Sequence, residues 1–309
     1  MAASIIRRTL ALIPVLFVIS VITFLLMHSV PGSPFATEDK PLPPQIKANL
    51  EAFYGLDQPL VTQYLSYMGN ALRGDLGPSY LQRNRTVNDI IRQQLPPSAT
   101  LGVLALGVAI LLGVPIGILS AVKQNTWIDY LGMFIAIAGV SVPAMTLGPL
   151  LIWGVALELD LLPVARWGTW QQAILPSLTL GLGSAAILAR LTRASMLQVI
   201  HQDYIRTARS KGLGERTVIN KHALRNALIP VVTVLGPLFA ALVTGSMVVE
   251  QIFAIPGLGR YFVDSVAARD YPVIMGTTLL YAVVLVLSNL VVDISYTLID
   301  PRIRLEDAA

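Results

Sequence analysis

Side chains able to do chemistry are few in this chain, and their spacing excludes most of it. The three histidines, His28, His201 and His222, stand far apart and form no H-E-x-x-H or comparable ligand spacing, so no metal site is expected. Cysteine is absent, which removes disulfides, thiolate metal sites and cysteine nucleophiles. No G-x-S-x-G and no pair of acids deep in an apolar stretch appears, so hydrolysis has no candidate constellation. Nor does G-x-x-x-x-G-K-[ST] occur, and the chain cannot cradle nucleotide phosphates in the P-loop manner. No catalytic residue and no bound cofactor is therefore assigned.

One segment combines cations, small residues and turn formers in an arrangement suited to gripping a partner. It reads Asp203-Tyr-Ile-Arg-Thr-Ala-Arg-Ser-Lys-Gly212-Leu-Gly and continues to His222-Ala-Leu-Arg225-Asn-Ala-Leu-Ile229-Pro230. The pattern predicts helix, turn, helix, with the break at 212–214. A short helix ended by glycine and held between two rigid elements makes a projecting knob for the groove of another protein. Ala208 would permit close approach, Gly212 would permit the turn, and Tyr204, Ile205 and Leu213 would anchor. The plain alternative is a loop whose cations serve only to fix orientation.

The elements that must hold this segment are membrane spans. Hydrophobic residues make up 54% of the 309 residues, charged ones 13%, and mean hydropathy is +0.67, which excludes a water-soluble globule. Six stretches free of Asp, Glu, Lys and Arg, 22 to 30 residues long, cover 9–37, 93–122, 130–157, 167–189, 226–249 and 271–292. A helix crosses the hydrocarbon core with about 20 apolar residues, so the expected fold is an all-α membrane protein. Its six spans fall near 9–30, 99–121, 130–157, 172–190, 229–249 and 273–298, in a single domain. With the N-terminus in the cytoplasm, the inner segments hold 13 Lys and Arg in 65 residues and the outer ones 9 in 105. That twofold bias is the positive-inside pattern, and an even span count brings the C-terminus back to the cytoplasm. The net charge of +4 serves orientation, and nucleic acid is not an expected partner; lipid is.

Two soluble segments exceed simple turns. Outside, 31–98 has a Pro-rich entry at Pro41, Pro43 and Pro44, then amphipathic stretches at 45–54 and 60–72, with Gly74, Gly77 and Pro78 as turns. Inside lies the segment 193–228 that carries the candidate knob. Within the spans, ionisable groups are nearly missing: Arg190 and Glu250 fall at predicted ends, and Asp293 falls about two turns from the inner end of the last. Asp293 is either an ion-coupling carboxylate or one capped, wetted or paired with Arg302 or Arg304. Gly113, Pro115, Gly117, Gly139, Pro143, Gly148, Pro149, Pro176, Gly181 and Gly183 suit helices that approach closely and bend. Thr233, Gly236, Thr244 and Ser246 are candidates to line a central path, with helix packing as the alternative role.

These residues resemble the EAA loop of membrane subunits of ATP-binding-cassette importers. That pattern is E-A-A, three residues, G, nine variable residues, then I-x-L-P. Here Arg206-Thr207-Ala208 stands at the E-A-A position, Gly212 is the glycine, and Leu228-Ile229-Pro230 closes the motif. The departure at the first two positions is similar to the peptide-importer branch. Pro31-Gly-Ser-Pro-Phe35, Gly55-Leu-Asp-Gln-Pro59, Gly74-Asp-Leu-Gly-Pro-Ser79, Pro256-Gly-Leu-Gly259, Arg269-Asp-Tyr271 and Asp300-Pro-Arg-Ile-Arg304 look like patterns of the same branch. Within it, Gly32 to Phe35, Leu42-Pro43-Pro44, Thr62-Gln-Tyr64 and Val87-Asn-Asp89 look most like the B-type permease subunit of oligopeptide importers, with dipeptide, nickel-chelate or glutathione cargo as alternatives.

The resemblance implies the type I ABC importer permease fold in the cell's inner (cytoplasmic) membrane and a complex of several subunits. Its members would be a homologous second permease, two cytosolic ABC ATPase subunits that handle ATP and Mg, and an extracytoplasmic (periplasmic) peptide-binding protein. It implies ATPase docking through Tyr204, Ile205, Arg206, Thr207, Ala208, Lys211, Gly212 and Leu213. A self-sufficient ion-coupled transporter would need a midplane ion site, which the sequence does not offer; a scaffold without transport would survive loss of the inner loop.

Overall fold

The architecture comes from a computed structural model, which describes residues 2–30, 32, 34–35, 43–82 and 84–299, with side chains over 13–295 of these. Pro41 and the 300–304 motif lie outside the described residues, as do Arg302 and Arg304, the expected partners of Asp293. The protein is helical; among the described residues an isolated bridge between Pro78 and Thr86 is the one extended pairing.

The first helix, α1 (Ala2–Ser29), leads to the outer segment, where α2 (Pro44–Phe53) and α3 (Leu60–Ala71) form as the amphipathic periods predict. Tyr64 on α3 reaches Ser20 on α1 with hydroxyl oxygens 2.7 Å apart, so this hairpin folds back along the first span. The next helix, α4 (Val87–Val122), starts a dozen residues before the expected span. Its start is set by a capping box: Thr86 Oγ1 accepts from the Asp89 N–H and Asp89 accepts from the Thr86 N–H, both at 3.1 Å. It then runs through Pro96 and Pro97 without interruption.

The third expected span is broken. Helix α5 (Trp127–Ser141) ends at Val142, which is extended because Pro143 follows it, and α6 (Ala144–Leu151) leaves at 104° before a π-helical stretch, Ile152–Glu158. Helix α7 (Trp170–Ile200) runs ten residues past its expected inner end and takes Arg190 and Arg193 into its last turns. The inner loop then forms α8 (Asp203–Ser210), α9 (Glu215–Thr217), a π turn (Val218–Ala223) and α10 (Leu224–Ala227), with a 51° bend into α11 (Ile229–Val243). The fifth expected span, drawn to 249, stops at 243. Gly245 has φ +106°, a conformation that favours glycine, and α12 (Met247–Ile252) starts afresh beyond it. Helices α13 (Gly259–Ala267) and α14 (Tyr271–Ile299) complete the chain.

Three helices, Val87–Val122, Trp170–Ile200 and Tyr271–Ser295, are long and apolar enough to cross a membrane singly. Two bent pairs raise the number to five, and the described part of α1, Ile13–Ser29, is a shorter apolar helix. The spans are seamed by small residues. A Cβ at Gly113 would sit 2.4 Å from the Ala185 carbonyl oxygen, and one at Gly117 would sit 2.5 Å from that of Ala189, so α4 and α7 touch backbone to backbone.

Candidate functional site

The inner segment folds as a braced knob. Helix α8 ends in a complete Schellman motif: the Gly212 N–H donates to the Arg209 carbonyl at 2.9 Å and the Leu213 N–H to that of Ala208 at 3.4 Å. Gly212 supplies the left-handed residue at φ +76°. Beyond the turn, Arg209 grips Glu215 through two nitrogens at 3.1 and 2.7 Å, fixing α8 against α9. That guanidinium holds the Glu215 carboxyl below its ordinary range. Asn226 donates to the Tyr204 hydroxyl at 2.8 Å, so the start of α8 is tied to α10.

The two faces of α8 divide the expected docking residues. Ile205 is fully buried and Ala208 nearly so, in a cluster with Ala121, Met196, Val218, Ala223 and Ala227. They anchor the knob to the ends of α4 and α7, and this corrects the expectation that they present themselves to a partner. Periodicity is the cause: positions 205 and 208 share one face of a helix whose other side is polar. Tyr204, Arg206, Thr207, Lys211, Gly212 and Leu213 face outward. Leu228 and Ile229 are half-buried and Pro230 is exposed at the first turn of α11, just past the 51° bend.

The four candidate path residues differ in exposure and contacts. Thr233 is exposed, with its hydroxyl donating to the Ile229 carbonyl at 2.9 Å. Gly236 is buried where α11 crosses α14; a Cβ there would lie 2.8 Å from Asn289 Oδ1. Thr244 donates to the Ala240 carbonyl at 2.8 Å, and Ser246 caps α12 by accepting from the Val249 N–H.

Three buried charges lie beyond the reach of local sequence patterns. Asp129, 1% exposed at the start of α5, takes a two-pronged bond from Arg193 on α7 at 2.6 and 2.7 Å and a third from the Asn125 N–H. Asp270, at the head of α14, accepts from the Ser79 hydroxyl and from the Tyr80 N–H at 3.1 Å, pinning the outer loop to the last span. Nearby Tyr67 and Tyr80 are packed among aromatic rings, and burial pushes both phenols up. Glu250 joins α12 to α4 and α13. All three acids border a charge-free stretch, but nothing local marks their partners: Asp129 and Arg193 are 64 positions apart.

Long apolar helices, two broken spans and a braced polar knob between α7 and α11 define a multi-pass membrane protein built as a permease. The fold is shared with chains of two solved transporters: the MetNI methionine ABC transporter in inward-facing conformations, at TM-score 0.53 and 18% identity over 70% of this chain and 97% of that one, and an amino acid ABC transporter, at 0.52 and 18% over 67% and 92%. The chain belongs to the binding-protein-dependent transport system inner membrane component family, whose model matches residues 113–305, with the family's N-terminal membrane-component model matching 1–102. It is 47% identical to the dipeptide transport system permease protein DppB of Bacillus subtilis (strain 168), over 99% of both chains. It is 44% identical to the oligopeptide transport system permease protein OppB of Salmonella typhimurium (strain LT2), and 48% identical to the glutathione transport system permease protein GsiC of Escherichia coli O6:H1. Each of these two matches covers 97% of this chain and 98% of the relative.

Proposed function

We propose that this permease forms half of the membrane path of an ATP-driven importer of oligopeptides and is driven through the knob at 203–213. The observation that carries the reading is the two-faced α8. Its apolar side is locked into the ends of α4 and α7 by Ile205 and Ala208, while its polar side, with Tyr204, Arg206, Thr207 and Lys211, is exposed. A handle so braced transmits displacement to the spans instead of folding under load. Two cytosolic ATPase subunits would bind ATP and Mg, one gripping this handle and the other that of a homologous second permease. Their closure on ATP would draw the handles together and open the path outward; hydrolysis would release the inner side. Such coupling requires only that the two arrangements bind the ATPases with different strength.

Six spans with both termini in the cytoplasm give this geometry, the bent pair α5 with α6 counting as one crossing and α11, continued by α12, as another. The outer elements, α2, α3 and the 253–271 segment, would receive an extracytoplasmic binding protein. Relatives named for dipeptides, oligopeptides and glutathione share a cargo chemistry of short amide-linked chains. A path with neutral walls, Thr233 among them, would pass such chains without selecting on side-chain charge.

Co-purification tests the handle. Arg206→Glu with Lys211→Glu should strip the ATPase subunits from the complex while the permease stays in the membrane with an unchanged thermal midpoint. Retained association and full uptake would overturn the docking assignment. Competition among dipeptides, pentapeptides and glutathione for uptake by the intact complex assigns the cargo.

A further inference from the structure

Glu250 is 1% exposed, and its carboxylate is met by donors from two distant parts of the chain. Its Oε1 accepts from the Ser98 hydroxyl on α4 at 2.6 Å, and its Oε2 accepts from the Gly259 N–H at the head of α13 at 2.9 Å. Ser98 relays the junction further, since its oxygen accepts from the Leu258 N–H at 2.7 Å. The space is cut to the carboxylate by glycines: a Cβ at Gly257 would fall 2.2 Å from Cδ, and one at Gly245 would fall 2.6 Å from Oε1. Such a group is tolerable when buried because every oxygen is met by a donor.

The opposite side of α12 is apolar. Val249 and Phe253 pack with Leu101 of α4 and Leu175 of α7, and Gly148 of α6 lies against Ile252 and Phe253. The far half of the broken third span, α6, therefore meets α12, and Glu250 ties that meeting point to α4 and α13. Adjacent on either side are two changes of backbone direction: the left-handed Gly245 before α12, and the bend at Val142 and Pro143 before α6.

We infer that Glu250 is a positioning residue for transport: it joins the outer end of α4 to α12 and α13 as one body that stays together while the path opens and closes. Motion at the outer mouth is then taken up at 244–246 and at the 142–143 bend, and not between α4 and α13. The inference rests on the alternating-access importer reading given above.

The chain contains no cysteine, so an introduced pair is the only one in this subunit. The experiment uses the assembled importer in proteoliposomes, carrying Glu250→Ala in a background with Ser98→Cys and Leu258→Cys. Reduced, this variant should lose about tenfold in maximal uptake rate with little change in the cargo concentration giving half rate. Oxidation to the cross-link should restore uptake, because the disulfide replaces the carboxylate junction. Gly257→Ala, which drives a methyl into the carboxylate, should reproduce the loss from a different position, at normal amounts of assembled complex. If cross-linking abolishes uptake, α4 and α13 must separate during transport and the inference fails. It fails also if Glu250→Ala transports at the parent rate, or if oxidation restores nothing. Absence of ATP- and binding-protein-dependent uptake by the unmodified complex would instead overturn the importer reading, and this inference with it.

Discussion

Arg193 and Asp129 show what a single residue does in a protein with so few charges. Asp129 is 1% exposed, and two of its three donors come from one guanidinium. Arg193→Ala leaves that carboxylate enclosed with the Asn125 N–H alone, a change that costs about 3–5 kcal/mol for a buried pair. Replacing both partners, Asp129→Leu with Arg193→Met, should recover most of it, since no charge is then stranded. Thermal unfolding of the detergent-solubilised protein checks both; equal losses for single and double replacements would mean that the pair matters in itself and not for the charge it neutralises. The same scale separates Ile205 from Tyr204. Both stand in the segment whose resemblance to a family loop implied docking. Which one stays exposed follows from the packing of Ile205 against Met196 and Val218.

At the scale of elements, the helices follow their composition and depart from it where proline or glycine meets a tertiary contact. The outer helices α2 and α3 and the helix-turn-helix of the inner loop form where amphipathic period and turn residues place them. Pro143 and Gly245 break two apolar stretches that charge content alone reads as continuous, whereas Pro96 and Pro97 leave α4 whole. The seam between α4 and α7 supplies a test. Gly117→Ala puts a methyl 2.5 Å from the Ala189 carbonyl oxygen, and the helices must part to admit it. At Gly107, where a Cβ meets nothing within 4 Å, the same substitution adds helix propensity, up to about 1 kcal/mol. The first variant should unfold at a lower temperature than the parent and the second at the same or a higher one. Equal midpoints would mean that the seam is looser than its backbone contacts indicate.

For the whole molecule, the positive-inside bias and the proposed crossings put the 203–213 knob on one side of the membrane and the α2–α3 hairpin on the other. The cysteine-free chain lets single replacements report on this: Phe53→Cys, at a site 79% exposed, should react with a membrane-impermeant thiol reagent in intact cells, and Lys211→Cys only after permeabilisation. The reverse pattern would invert the orientation. Membrane residence, all-helical class, the inner knob and its family were written in the sequence, because each is set by local composition or by spacing within about 30 residues, and the bilayer demands helices from long apolar stretches. Two things were decided only by tertiary structure: which helices meet, as α4 and α7 do backbone to backbone, and how Glu250, Asp129 and Asp270 are neutralised. Each depends on groups tens of residues apart or more being brought within hydrogen-bond or contact distance, and that is a property of packing that no local pattern carries.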